Sequence, residues 1–219
     1  MDGGGEEGMA KAAETRVTED AMRAGVYGIF ATLMLRAVRE EEQPKVVEML
    51  GHVAEAVGQD LDLDLLAKAD VRTEFGELFL VPLPGRAVSL YGGAYRGGGS
   101  EAWGDLSFRV ASLAAACGVG WQPESFSPDQ AYLVDPDHLG LLLALLAEVI
   151  ERRALGKEDP LAEQSPAEWE RWLRADLMEW LPELAQKVHA QGEAVFYPAV
   201  LDLLLSYLRL DDELGLRAQ

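Results

Sequence analysis

The chain has 219 residues, with 38 Asp+Glu against 19 Lys+Arg and a formal net charge of −19. Hydrophobic residues make up 49% of it, enough apolar content to offset the ordering entropy that keeps polar chains disordered. So acidic a balance excludes the basic footprint of nucleic-acid binding and argues against docking on an anionic membrane surface.

At roughly 100–200 residues per domain, one compact domain is expected, over residues 15–219. Residues 1–14 are Gly- and Glu-rich and read as a disordered tail; they lack the basic and apolar regions of a secretory signal. Thr18 is a plausible helix cap, with Glu19 and Asp20 in the first turn. Val26, Ile29, Phe30, Leu33, Met34 and Ala37 then repeat at the spacing of one helix face. A second helix starts at Pro44, buries Val46, Val47, Leu50, Val53, Ala54 and Val57, and stops at Gly58. A short helix over about 62–69 follows, then another carrying Val71, Phe75, Leu78 and Phe79.

Residues 81–100 change texture. Two prolines and six glycines forbid a regular helix there, and loops this long tend to be functional or disordered. Tyr91 and Tyr95 lie in this loop outside any helical pattern and are candidates for contacts. Helical spacing returns over about 101–117, before an irregular stretch over 118–134. Asp135 can cap and Pro136 fits the first helical position of a Leu-rich helix closed by Gly156. Its nine-residue apolar run, 139–147, is too short for the roughly 20 residues a membrane span needs. Ser165-Pro166-Ala167-Glu168 is a capping box opening a helix with Trp169, Trp172, Leu173, Leu177 and Trp180, which Pro182 should kink or end. The last helix carries Phe196, Val200, Leu203, Leu204, Tyr207 and Leu208. No alternating strand pattern appears, so an all-α fold of seven to nine helices is expected.

Charge is uneven along this order. Residues 1–70 hold 7 Lys+Arg against 15 Asp+Glu, residues 71–121 hold 4 against 4, and residues 122–219 hold 8 against 19. The neutral middle is also the Gly/Pro-rich, aromatic part. It suits either a groove for an apolar peptide between acidic flanks or a buried hairpin between solvated helices.

Residue types for chemistry are sparse. His52, His138 and His189 are far apart, and Cys117 stands alone, so neither a metal site nor an intramolecular disulfide is expected. The single cysteine fits a reducing cytoplasm. There is no nucleophile elbow, phosphate loop or dinucleotide fingerprint. Asp137-His138 is the one pair with acid/base potential; with Asp135 as cap it falls in the first helical turn, where the dipole favours an acid. The other reading, favoured because no companion nucleophile is in view, is a helix-start motif that pins the 118–134 loop.

Several of these features coincide in order: Phe75-x-x-Leu78-Phe79-x-x-Pro82, Leu90-Tyr91-Gly92-Gly93-Ala94-Tyr95, Asp135-Pro136-Asp137-His138, Trp172-Leu173-x-x-x-Leu177-x-x-Trp180-Leu181-Pro182 and Phe196-Tyr197. In this the chain resembles the TorD/DmsD/NarJ family of redox-enzyme maturation chaperones, over roughly residues 20–213. The resemblance implies an all-helical chaperone, monomeric or homodimeric, without catalytic turnover or cofactor. Its partner would be the precursor of a molybdenum-cofactor oxidoreductase, bound by its twin-arginine leader, its apo core or both, and held in the cytoplasm until the cofactor is inserted. The implied leader-binding residues are Leu78, Phe79, Pro82, Tyr91, Asp137 and His138, with His138 making binding pH-sensitive near its ordinary pKa of about 6.5. The chain departs from the family pattern in its loop, where Gly92-Gly93 replace Glu-Ser, and at Asp176, where histidine is common. A nucleotide-binding or enzymatic protein using Asp137 and His138, and a plain helical interaction module, are the alternative readings.

Overall fold

The first apolar stripe lies on α1 (Gly3–Leu35), which buries Tyr27, Phe30, Leu33 and Met34. The structure is a computed structural model that describes residues 3–80, 88–96, 100–118, 136–157 and 164–217. Helix α1 begins upstream of the cap expected at Thr18, and residues 3–14, expected to be disordered, are helical. Next come α2 (Gln43–Val57), α3 (Leu63–Lys68) and α4 (Val71–Phe75), the last continued by a π-helical turn, Gly76–Leu80. Helix α2 carries Pro44 in its first turn and ends on Gly58 at φ +68°, a left-handed conformation that glycine adopts without steric cost. Asp62 and Asp70 cap α3 and α4 by accepting from Leu65 N and Thr73 N.

The chain continues through α5 (Ser100–Cys117), α6 (Leu139–Ala154), α7 (Pro166–His189) and α8 (Phe196–Arg217). Eight α-helices and no strand are present among the described residues, an all-α fold. Helix α6 is the central element. It is apolar nearly all round and buries Leu139, Leu142, Leu145, Leu146, Val149 and Ile150, with α1 along one side and α7 along another. Helix α8 packs on α7, α2 and α4, and no described helix is long and apolar enough to cross a membrane.

Two further boundaries differ from the sequence reading. The Ser165–Glu168 capping box forms as expected, but α7 runs through Pro182 to His189. The missing N–H and the ring clash with the preceding turn cost about 3 kcal/mol or more. Leu173, Leu177 and Trp180 before the proline and Leu184, Ala185 and Val188 after it are buried, which holds both halves on one axis. Helix α6 starts at Leu139, later than Pro136, and its cap is His138. Asp135 and the stretch 119–134 lie outside the described residues.

Acidic residues also organise the far side of the fold, unannounced by spacing. The Arg23 guanidinium reaches Asp20 at 2.6 Å, Glu170 at 2.5 Å and Asp211 at 2.5 Å. Arg153 joins Asp20 at 2.7 Å and Glu170 at 2.8 Å, Arg174 meets Asp211 at 3.3 Å, and Tyr27 donates to Asp211 at 2.7 Å. Three arginines balance three buried carboxylates and tie α1, α6, α7 and α8 together.

Candidate functional site

The site is built around an extended segment, 88–91, and the short 3-10 turn Gly92–Ala94 that follows it. At one end Val88 N donates to Leu78 O at 2.8 Å, which ties the segment to the π-helical turn. At the other end Leu139 N donates to Leu90 O at 2.8 Å and Gly92 N to Asp137 O at 3.1 Å, forming a single antiparallel bridge between Tyr91 and His138. This bridge explains the late start of α6: the Asp137 carbonyl and the Leu139 N–H are spent on pairing with residues 90–92 and His138 is extended, so the helix begins only at Leu139 despite Pro136. Tertiary hydrogen bonds here outweigh a local start signal.

Asp137 is fully buried and its Oδ2 accepts from Gly93 N at 2.6 Å. His138 is 1% exposed, its Nδ1 accepts from Gly140 N at 3.1 Å, and its ring stands edge-on to Tyr91 with centroids 5.1 Å apart. An accepting Nδ1 places the proton of the neutral ring on Nε2. Burial pushes the imidazole pKa down to about 3, so His138 is neutral at pH 7 and does not switch near 6.5. The pair thus holds residues 90–93; the 118–134 stretch it was expected to pin lies, from 119 on, outside the described residues.

The other expected residues fall on either side. Leu78 is buried, while Phe79 is half-buried and packs edge-on against Tyr197 at 5.1 Å and Phe75 at 5.3 Å. Tyr91 is half-buried, and Leu80 beside Phe79 is 44% exposed. Pro82 lies outside the described residues. The segment 88–91 is therefore the bridge between the Leu78-Phe79 turn and the Asp137-His138 corner, which are some sixty positions apart in sequence.

Sequence spacing did not reveal Arg96. Its guanidinium forms an ion pair with Asp176 of α7, lies 4.0 Å from Asp137 Oδ2 and sits over the Trp180 ring at 5.6 Å. Trp180 Nε1 donates to Asp176 at 3.4 Å. Burial pushes the Asp176 carboxyl up and Arg96 pulls it down, with burial the larger effect. Asp176, a departure from the resembled pattern, is thus the anchor of this loop. Tyr95 stacks on Trp180 at 5.6 Å, donates to Ser89 O at 2.6 Å and carries Lys187 over its other side at 4.3 Å. A Cβ on Gly92 would stand 2.6 Å from Arg96 Nη1, so only glycine lets the guanidinium lie against this turn. The available signal was an arginine beside a tyrosine in a glycine-rich loop that has no acidic residue of its own; nothing local linked it to residue 176.

Chemically the corner offers buried carboxylates, a neutral imidazole and aromatic faces. Nor is any group of three or more His, Cys, Asp or Glu among those residues arranged to hold a metal ion. The family model described as nitrate reductase delta subunit matches residues 39–186, more than half of the chain, and spans the site from Leu78 to Trp180. Comparison with curated proteins and with solved structures gives no match.

Proposed function

Because the chain belongs to the nitrate reductase delta subunit family, of the TorD/NarJ type of redox-enzyme maturation chaperones, we propose that it binds the twin-arginine leader of a molybdenum-cofactor oxidoreductase precursor. A chaperone role in molybdoenzyme maturation follows from the family itself. The finer reading is that the chain engages the leader and the apo core in the cytoplasm, assists cofactor insertion and delays export, without catalysing a reaction.

The observation that carries this reading is the pairing of segment 88–91 with both the Leu78-Phe79 turn and the Asp137-His138 corner. Residues expected to meet a leader converge there from three separate parts of the chain. Phe79 and Tyr91, half-buried with Leu80 exposed beside them, supply apolar contact; Leu78 supports the turn from beneath. Asp137 and His138, both buried, act behind the loop by fixing its backbone. A leader with paired arginines and an apolar stretch is complementary to aromatic faces set in a strongly acidic chain.

Calorimetry with the full chain and a synthetic leader of the client encoded nearby in the genome tests the reading. Micromolar or tighter binding that weakens when Phe79 and Tyr91 are both replaced by alanine supports it. Lack of binding to both the leader and the apo client subunit would sink it.

A further inference from the structure

We infer that Asp137, Asp176 and Trp180 form a guanidinium-binding box that Arg96 occupies in the client-free protein and that an arginine of a peptide takes over on binding. This rests on the leader-binding reading and names the place where one leader arginine is held.

The box has the composition that recognises guanidinium rather than ammonium. Two carboxylates face the cation, at ion-pair distance for Asp176 and 4.0 Å for Asp137, and an indole ring lies 5.6 Å beneath it. A planar, weakly hydrated fork gains from both features, whereas a lysine ammonium gains from charge alone. The bare backbone of Gly92 forms a further wall, closed to any side chain at that position.

Arg96 fills this box incompletely. Its Nε and Nη1 are buried with no hydrogen-bond partner among the described residues. Arg23 shows what a structural arginine in this same fold achieves: Nε, Nη1 and Nη2 each meet a carboxylate oxygen at 2.5 or 2.6 Å. Buried, unpaired donors cost free energy, so an occupant that satisfies them displaces Arg96. The exchange needs little movement. The Arg96 side chain is 17% exposed, while Tyr95, stacked on Trp180 and bonded to Ser89, keeps the loop in place as the neighbouring side chain rotates out.

The contest between internal and external arginine makes the box a brake on affinity. If it stands open about a tenth of the time, removing Arg96 tightens leader binding about tenfold. Calorimetry of the full chain tests this with an Arg-Arg leader and its Lys-Lys counterpart. Arg96→Ala should bind the Arg-Arg leader about tenfold tighter than the wild type, show no such gain for the Lys-Lys leader, and lose the gain when combined with Asp176→Asn. Arg96→Lys, which keeps a cation in the fold, should show a smaller gain of the same sign and serves if the alanine variant does not fold. Leader binding by the wild type with no gain in either Arg96 variant, or with an equal gain for Lys-Lys, overturns the displacement and leaves leader binding standing. Absence of leader binding in every protein overturns the displacement and the leader-binding part of the proposed function together.

Discussion

The Oδ2 atom of Asp137 accepts a hydrogen bond from the backbone N–H of Gly93 at 2.6 Å, across 44 positions of sequence. A buried carboxylate thereby holds a loop through the same oxygen that faces the Arg96 guanidinium at 4.0 Å. Asp137→Ala leaves the Gly93 N–H without its acceptor and should cost about 1–3 kcal/mol of unfolding free energy in urea. It should also speed hydrogen exchange at the Gly93 amide. Asp137→Asn keeps an acceptor oxygen and should restore most of that protection.

His138 sets a pH dependence with a definite sign. In the unfolded chain its pKa is near 6.5; in the folded chain it is about 3. Between these values the unfolded state binds the extra proton, so stability falls as pH drops through 6.5 toward 3. From pH 7.5 to 5.5 the loss attributable to His138 should be about 1.4 kcal/mol. His138→Asn retains a side-chain acceptor for Gly140 N but does not titrate. Urea unfolding of both proteins at the two pH values should show the variant losing less, by about that amount; equal slopes would contradict a buried, neutral His138.

At Gly140, α6 lies tightly against Leu35 of α1. A Cβ there would stand 2.6 Å from Leu35 Cγ and 3.0 Å from the Leu35 backbone nitrogen. A flexible side chain can yield, but a backbone cannot. Gly140→Ala should therefore destabilise the fold by about 1–3 kcal/mol despite alanine's better helix propensity. Adding Leu35→Ala should recover none of the backbone part, so the double variant stays below wild type in thermal denaturation.

The arginine network separates buried from partly exposed ion pairs. Arg23→Ala strips Asp211 and Glu170, each 2% exposed, of their shortest ion pairs, and should cost about 3 kcal/mol, the low end for a buried pair because Arg23 itself reaches solvent. Arg153→Ala removes a cation whose side chain is 30% exposed and should cost about 1 kcal/mol. Urea denaturation ranks the two; the reverse order would contradict this division.

Much of the fold was legible because helices announce themselves locally. Gly58, the Ser165–Glu168 box and the Asp62 stretch each satisfy backbone groups within four residues, so their residue types suffice to place an end. Pro182 misled because its penalty is local, while the burial that overrides it involves other helices. The start of α6 misled for the same reason: the hydrogen bonds that hold Asp137 and the backbone on either side of His138 come from residues 90–93.

The site divides along the same line. By itself the amino-acid sequence determined an acidic, all-helical chain with a neutral aromatic loop, and the ordered motifs of a maturation chaperone. Periodicity, caps and composition are short-range properties that sequence carries directly. Only the tertiary structure decided that His138 is buried and uncharged at pH 7, that Asp137 grips a backbone amide, and that Arg96 lies between carboxylates 41 and 80 positions away. Those outcomes depend on desolvation and on which side chains are brought together, and both are set by how distant helices pack.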